Sequence, residues 1–429
     1  MKKLLGVLLA SVGLLAGIMA YEQFVGFDRG TLDEKISPLE ASVVVPEITP
    51  IVQEKPRTDA RAYEENIVEA EDAEWDEEAL NEEEEEILSE LSGIKTHDAY
   101  SYAYNKLNEK ERELYDIMYA ATIEYKDGVF LPVLDVDVID KVFNCIMIDH
   151  PEIFYVNGYR YTRYTQGDVL KKIAFTASYN YTKSEKESLE PRLEQAIVAI
   201  TQNVYANATD YEKIKYIYEY IITHTEYDLN STDNQNIISV LLNGRTVCQG
   251  YAKTFQLLLN RIGIECTMAT GMVYTGERHA WNVCKADGEW YYVDATWGDA
   301  SYQASDANQA AFVPDVNYDY LLVTSDEIER THSFDTPVSM PYTQALANNY
   351  YVKEGLYLVS YDTNQLKAIF DYQKNIGANN VSFKCADGIV YNQIRSELLD
   401  NQKIFDYIKT GQIRYSEDPM LYKLVFALE

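Results

Sequence analysis

The stretch GRTVCQGYAKTFQLLLNRIG, residues 244–263, decides the fold. Beyond Cys248, apolar side chains recur at i, i+4, i+7, i+8 and i+11, which is one face of a helix. These positions are Tyr251, Phe255, Leu258, Leu259 and Ile262. Gly263 then supplies a typical C-terminal stop. The spacing therefore predicts a buried helix that begins at Cys248.

Cys248 is expected at the N-terminal tip of that helix. Exposed backbone N–H groups and the helix dipole favour an anion at this end, so a thiolate is stabilised there. Gly250 has no side chain and would let a substrate backbone approach closely. The alternative is that Cys248 is a small buried apolar residue, since cysteine is among the most buried residue types. Its partners decide between the two interpretations.

Two strand-like stretches follow, residues 278–284 and 290–297, and Asp287-Gly288 between them is a strong hairpin signal. With these two residues in the turn, Trp281 faces Asp294. His279 and Asp294 then lie on the same face as diagonal neighbours, roughly 7 to 8 Å apart at Cα. A register shift of one residue would place them on opposite faces.

These three residues form a coherent acyl-transfer site. Cys248 is the candidate nucleophile, His279 the general base and acid, and Asp294 the residue that orients the imidazole. The backbone N–H of Cys248 is a natural oxyanion donor, and Tyr227 and Gln235 are candidates for the second donor. Each residue alone has a structural explanation, but their order and spacing favour one site.

Other residues near the site are candidates for a substrate groove. Gln249 and Gly250 follow the cysteine directly. Trp281 and Trp297 flank the histidine and the aspartate, and they either wall a groove or fill the core. The remaining histidines have no metal-site spacing, so His332 and the others (His97, His150, His224) are expected to be structural. We expect no metal and no cofactor.

Three segments resemble the transglutaminase-like superfamily within the papain-like thiol fold, in its exported bacterial form. They are VCQGYA (247–252), HAWN (279–282) and YVDATW (292–297). The resemblance covers about residues 208–300. DHPEIFY (149–155) also looks like the N-terminal half of exported bacterial members.

The resemblance implies an α+β fold, in which the helix bearing the cysteine packs on an antiparallel sheet bearing the histidine and the aspartate. It also implies the nucleophile, base and orienting roles for Cys248, His279 and Asp294. It leaves the reaction open among cross-linking, peptide hydrolysis and deamidation, and we favour hydrolysis slightly. The alternative is a catalytically silent binding or scaffold protein at the cell surface.

The charge of the chain excludes one class of partner. With 37 basic and 69 acidic residues, the net charge is −32. Nucleic-acid binding needs clustered Lys and Arg, so it is not expected. The expected partner is a protein or peptide substrate, with a cell-wall peptide as one candidate. Five cysteines without a CxxC pair give no support to a zinc or thioredoxin-like site, and a disulfide between Cys266 and Cys284 is disfavoured.

The N-terminus is expected to direct export. A basic start precedes seventeen uncharged residues, Leu4 to Ala20, a length between that of a signal-peptide core and a minimal membrane span. Residues 1–20 are therefore a cleaved signal or an uncleaved membrane anchor, with the anchor favoured slightly. The protein is then secreted or lies on the extracellular face of the cytoplasmic membrane.

Composition divides the rest of the chain. Fifteen acidic residues and no basic one between Glu64 and Glu90 indicate an extended, disordered linker over 21–97. An N-terminal α/β region is expected over 98–205, the catalytic core over 206–335 and a small α+β C-terminal unit over 336–429. A helix is expected to begin near Asp210 as N-cap.

Overall fold

The computed structural model describes residues 23–25, 67–74, 87–299, 316–409 and 413–428. Their contacts divide them into two compact units. The larger unit comprises the described residues of 61–301 and 320–348, and the second comprises those of 1–60, 302–319 and 349–429. The segment 1–20, with its predicted signal or anchor, lies outside the described residues. Within the described part of the chain, we find no helix both long and apolar enough to span a bilayer.

Helices in the larger unit are named in chain order. They are α1 (Tyr102–Lys106), α2 (Glu109–Glu124), α3 (Val136–Asp149), α4 (Lys183–Thr201), α5 (Asp210–His224), α6 (Ile237–Leu241), α7 (Cys248–Arg261), α8 (Ala295–Gly298) and α9 (Ser325–Ile328). Most begin at a side-chain cap, since the first four N–H groups of a helix need acceptors. Thr209, not Asp210, caps α5, where it forms a capping box with Glu212.

Strands β2–β12 of the larger unit form three sheets. Their bounds are β2 (Ile67–Glu74), β3 (Val129–Phe130), β4 (Val156–Gln166), β5 (Val169–Tyr179), β6 (Glu226–Tyr227), β7 (Arg245–Thr246), β8 (Cys266–Val273), β9 (Arg278–Ala286), β10 (Glu289–Val293), β11 (Leu321–Val323) and β12 (His332–Phe334). The sheet orders are β2-β4-β5-β3, β11-β10-β9-β8-β12 and the pair β6-β7.

The central sheet, β11-β10-β9-β8-β12, is antiparallel throughout. Helix α7 packs on it: the Asn282 side chain on β9 donates to the carbonyl oxygen of Ala252 on α7 at 3.0 Å. The apolar face of α7 is buried as predicted, with Tyr251, Phe255 and Leu258 fully covered. Cys266 and Cys284 lie directly opposite each other on β8 and β9, and both are thiols. The predicted α+β class, with a helix bearing the cysteine on an antiparallel sheet, is confirmed.

Two predicted boundaries differ from the structure. The regions predicted as 98–205 and 206–335 belong to one unit, because a single hydrophobic cluster runs from α2 and α3 to Ile237 and Ala252. The C-terminal unit begins at Asn349 rather than at 336. Residues 337–348 stay with the larger unit: Val338 joins its hydrophobic cluster, and the Tyr292 hydroxyl on β10 donates to the carbonyl oxygen of Pro341 at 2.7 Å.

The predicted disordered linker over 21–97 is wrong for its described parts. Residues of β2 run parallel to β4 over eight pairs, from Ile67 opposite Gly158 to Glu74 opposite Thr165. The edge of β4 offers backbone hydrogen bonds, and Arg163 on β4 pairs with Asp72 at 2.8 Å. Arg163 offsets part of the acidic charge of β2. The composition alone could not reveal this pairing, because it does not show which residues are neighbours in the fold. The acidic run Glu82 to Glu86 lies outside the described residues.

The second unit is a small α+β structure around one sheet, in the order β1-β15-β16-β14-β13. Its strands are β1 (Gln23–Val25), β13 (Tyr357–Leu358), β14 (Asn380–Cys385), β15 (Ile413–Asp418) and β16 (Lys423–Ala427). Its helices are α10 (Tyr350–Lys353), α11 (Thr363–Asn375), α12 (Gly388–Arg395) and α13 (Ile404–Tyr407), with a π-helical turn at Ser396–Asp400. Leu366, Phe383 and Phe426 lie in its hydrophobic core.

Candidate active site

Cys248 is the first residue of α7. Val247 before it is extended, with φ −120° and ψ −174°. The Val247 N–H donates to the carbonyl oxygen of Asn234 at 3.2 Å, and Oγ1 of Thr246 donates to the same oxygen at 2.8 Å. The loop before α6 therefore holds the chain in place where the helix begins.

The hairpin of β9 and β10 has the predicted register. Asp287 and Gly288 both have positive φ, 50° and 88°, as a two-residue turn of type I′ requires. Ala286 pairs with Glu289, and Asn282 pairs with Val293. Asp294, one residue beyond the last pair, is the N-cap of α8 and not a strand residue.

The structure brings the three candidate catalytic residues together. Nε2 of His279 lies 2.8 Å from Oδ2 of Asp294. A further hydrogen bond joins the His279 ring to the Cys248 side chain. Since Nε2 faces the carboxylate, the imidazole links the thiol and the carboxylate in one chain of hydrogen bonds.

Charge explains the protonation of the histidine and the aspartate. Burial by itself disfavours an imidazolium, but the Asp294 carboxylate, with a further contribution from Cys248, outweighs burial and raises the pKa of His279 to about 10. Burial likewise disfavours a carboxylate, yet the charge and hydrogen bond of His279, with a further contribution from His332, hold the pKa of Asp294 well below its usual range. The buried state of the pair is thus imidazolium and carboxylate.

His332 is a partner of Asp294 that the sequence did not indicate. Its Nε2 lies 3.2 Å from Oδ2 of Asp294, and its Nδ1 lies 2.8 Å from Oγ1 of Thr331. The side chain is fully buried, and burial, together with the charge on His279, lowers the pKa of His332. The sequence carries no sign of this contact, because β12 brings His332 to Asp294 from outside the recognised motifs.

Asp294 therefore uses both oxygens. Oδ1 accepts from the backbone N–H groups of Thr296 at 2.9 Å and Trp297 at 3.1 Å, and Oδ2 accepts from both histidines. The ligand atoms of His279, Asp294 and His332 lie within 4.8 Å of one another, close enough for a metal ion. Hydrogen bonds from both Nε2 atoms to the carboxylate account for this arrangement without one.

The thiol of Cys248 is fully buried, within the hydrophobic cluster of the larger unit. His279 is only 5% exposed and Asp294 is not exposed. His279 therefore has the Asp294 carboxylate as a polar partner, while the Cys248 sulfur is not exposed to solvent. Access of a substrate to the sulfur requires neighbouring side chains to move.

The two candidates for the second oxyanion donor lie near the start of α7. Tyr227 pairs with Thr246 across β6 and β7, and its ring is 6.5 Å from that of Tyr251. Gln235 follows Asn234, whose carbonyl oxygen binds the Val247 N–H. Both candidates therefore belong to segments joined directly to the two residues that precede Cys248.

Gly250 serves close packing within the protein. A Cβ at this position would lie 1.8 Å from Oγ1 of Thr246 and 2.9 Å from Oγ of Ser239. Thr246 and Ser239 bond to each other at 2.6 Å, so neither can retreat easily. This contact explains the glycine and replaces the substrate approach expected from the sequence.

Neither tryptophan faces a groove. Trp281 and Trp297 are fully buried, with ring centroids 4.8 and 4.6 Å from that of His332. The same indoles lie 6.1 and 5.8 Å from the ring of His279. They enclose the two histidines in an aromatic shell, which corrects the groove interpretation in favour of packing.

A cavity of about 460 Å³ is lined by residues of α3, α7 and β8, and we call it the flanking cavity. Gln249, the residue after Cys248, and Arg278, the residue before His279, both line it. Other lining residues come from β2, α3, α7, β8 and the segment 335–337. Cys248 and His279 themselves are not among the lining residues, so the cavity does not reach the reacting atoms.

Comparison with known proteins agrees with this geometry. The model of the family described as the transglutaminase-like superfamily matches residues 198–295, a segment that contains Cys248, His279 and Asp294. The human Kyphoscoliosis peptidase is 31% identical over 106 residues, and the mouse Kyphoscoliosis peptidase is 30% identical over 106 residues. Each match covers 21% of this chain and 16% of the relative, so the chain spans about one sixth of those proteins.

A crystal structure of a TGase aligns with 32% of this chain and 50% of its own, at 14% identity and a TM-score of 0.24, a value too low to add to the fold argument. The family match and the arrangement of thiol, imidazole and carboxylate on α7 and its sheet lead to one conclusion. Residues 198–295 of this chain, which carry the site, are similar to the transglutaminase-like superfamily.

Proposed function

We propose that the chain is a cysteine enzyme that transfers or hydrolyses acyl groups of peptide or glutamine amides. The observation that supports it is the hydrogen bonding of His279 to both Cys248 and Asp294, with Nε2 of the imidazole 2.8 Å from Oδ2 of the carboxylate. A structural cysteine needs no such partner, whereas a nucleophile and its base need this chain of contacts.

In the proposed reaction the Cys248 sulfur attacks the amide carbonyl carbon and forms an S–C bond. The His279 imidazolium then gives its proton to the nitrogen as the C–N bond breaks, which leaves a thioester. Asp294 keeps the ring oriented and stabilises its positive charge. A water molecule or a second amine attacks the thioester and loses a proton to His279, and the S–C bond breaks to release the Cys248 thiolate beside the regenerated imidazolium.

The backbone N–H at the start of α7 is the proposed first oxyanion donor. It belongs to Cys248, the first residue of α7, where backbone N–H groups point out of the helix N-terminus. Gln235 is the proposed second donor, since its loop is bonded to Val247 through the carbonyl oxygen of Asn234. Both groups would act on charge that develops only as the sulfur attacks.

A catalytically silent scaffold is the second candidate, and the full burial of Cys248 favours it. Alkylation by iodoacetamide at pH 6 separates the two functions. For an enzyme, Cys248 reacts faster than a cysteine in the urea-unfolded chain, and His279→Ala removes the advantage. If native Cys248 reacts no faster than the unfolded chain, the scaffold is the better description.

A second assay identifies the reaction. A glutamine-rich protein is incubated with the enzyme and a labelled primary amine. We favour hydrolysis slightly, because it needs only water at the thioester, so we expect ammonia or cleaved peptide without label. Incorporated amine would instead identify a cross-linker, and Cys248→Ala is the control for both readouts.

Export is also a proposal, and it rests on the sequence of residues 1–20 alone. It places the enzyme outside the cytoplasmic membrane, where a protein or a cell-wall peptide is the expected substrate. N-terminal sequencing of protein recovered from membrane and medium fractions tests it. A mature protein that retains residues 1–20 in the cytoplasm would contradict it.

A further inference from the structure

The flanking cavity holds the cationic side chain of Lys253. Lys253 lies on α7 one turn after Gln249, so both project on the same side of the helix. Among the described residues, none forms a hydrogen bond, ion pair or ring contact with Lys253. The side chain is partly buried, and burial lowers the pKa of its amine to about 8.

The other cations of the cavity wall are already neutralised. Arg278 pairs with Asp335 at 2.8 Å, and Lys141 on α3 pairs with Glu111 at 2.7 Å. A partly buried charge without a counter-ion is costly, and protein structures normally pair it. Within the described part of the chain, Lys253 is thus the cavity cation without a counter-ion. A negatively charged ligand would offset the free-energy cost of burying its charge.

The carboxylates of the cavity do not fill this role. Asp335 is bound to Arg278, and Asp140 accepts hydrogen bonds from Asn144 and the Tyr159 hydroxyl. In the part of the chain that the structure describes, Asp137 on the first turn of α3 makes no ion pair with Lys253. The cavity volume of about 460 Å³ lies within the range of small-molecule sites.

We propose that the flanking cavity is the subsite of an acyl donor that bears a free carboxylate, and that Lys253 binds this carboxylate. The proposal rests on the proposed function, because it takes Cys248 as the thiol that the donor must reach. Gln249 lines the cavity and directly follows Cys248 in the first turn of α7, so this is the side from which the other end of such a donor would approach the thiol. The substrate class is then amides with a nearby carboxylate, such as the amide of a peptide that ends close to the scissile bond.

Two alkylating reagents of the same shape test the charge. Iodoacetate has a carboxylate where iodoacetamide has a neutral amide, and both alkylate a thiolate by the same displacement of iodide. The measured quantity is the rate of Cys248 alkylation by iodoacetate divided by the rate with iodoacetamide, determined by peptide mass spectrometry on the full chain. Both rates depend equally on the fraction of thiolate, so this ratio does not depend on the ionisation of the thiol. We expect the native ratio to exceed that of glutathione by roughly tenfold, although the net charge of −32 opposes an anionic reagent.

Variants assign the effect. Lys253→Met should return the ratio to the glutathione value, while Lys253→Arg should keep the ratio high. Lys141→Met is the matched control, because that lysine lines the same cavity but is paired, and it should change the ratio less than twofold. The wild-type ratio should also fall as the pH rises through about 8, where Lys253 loses its proton.

A ratio that Lys253→Met leaves unchanged would overturn the carboxylate subsite while the thiol remains reactive. An unreactive Cys248 toward iodoacetamide would instead reject the proposed function, and the subsite with it. Binding is the second measurement: in the Cys248→Ala variant, N-acetylglutamine should bind more tightly than its neutral amide. Equal binding of the two would also reject the proposal.

Discussion

Nε2 of His332 lies 3.2 Å from Oδ2 of Asp294, the oxygen that His279 also approaches. A carboxylate only accepts, so Nε2 of His332 must donate. Oγ1 of Thr331 can then donate to Nδ1 of His332 over their 2.8 Å contact. Because burial lowers the pKa of His332, the neutral ring with its proton on Nε2 is expected.

Replacement of His332 tests this positioning role. His332→Phe keeps a ring but removes the donor, and it should slow Cys248 alkylation by about tenfold and cost about 1–3 kcal/mol of unfolding free energy. His332→Gln can still donate from its amide and should recover most of the rate. If Phe and Gln behave alike, His332 only fills space.

Replacement of Asp294 tests the source of the histidine charge. In Asp294→Asn the carboxylate is gone and only Cys248 still opposes burial, so the pKa of His279 should fall well below about 10. NMR titration of the His279 ring measures this. A ring still protonated at pH 8 in the variant would contradict the assignment.

The same pair predicts how stability depends on pH. The pKa of His279 is higher in the folded than in the unfolded chain, so its contribution is complete below about pH 6.5 and is lost as the pH rises through about 10. The pKa of Asp294 is lowered by folding, so its contribution is lost in acid, far below 3.8. Urea unfolding at pH 7 and 10 should show a loss in the wild type that is smaller in His279→Gln.

The five thiols should differ in reactivity. Burial raises the pKa of Cys385 to about 12 and raises the pKa of Cys145, Cys266 and Cys284 still further. These four should resist iodoacetamide at pH 7 in the folded protein and react only in urea. Peptide mapping should find native label on Cys248 alone, and label spread over several cysteines would argue against an activated site.

Gly250 should not tolerate a side chain. Its Cβ would lie 1.8 Å from Oγ1 of Thr246, so Gly250→Ala should cost at least about 1–3 kcal/mol of unfolding free energy. Gly388 at the start of α12 is the control, because its Cβ would approach only the half-buried Tyr422 ring, and no closer than 3.3 Å. An equal loss of unfolding free energy in Gly250→Ala and in Gly388→Ala would show that Thr246 can move away from the added Cβ at little cost.

Local patterns were sufficient for the core of the site. A helical period placed Cys248 at a helix start, and a two-residue turn fixed which residues of β9 and β10 face each other, so the His279–Asp294 contact followed. His332 could not be found this way, because its approach depends on β12 pairing with β8 rather than on a motif. The strand β2 was also missed, since its partner β4 lies about ninety residues away along the chain.

The turn Asp287-Gly288 places a length constraint on this protein. One added residue there would slide β10 past β9 and move the carboxylate across the sheet, away from the imidazole. Variants with longer loops should therefore accumulate elsewhere, for instance at Gly167 between β4 and β5, where an added Cβ would meet no neighbouring atom within 4 Å. In a library of random insertions, active variants with an insertion in the β9–β10 turn should be absent. Active variants with an insertion in the β4–β5 turn should be common.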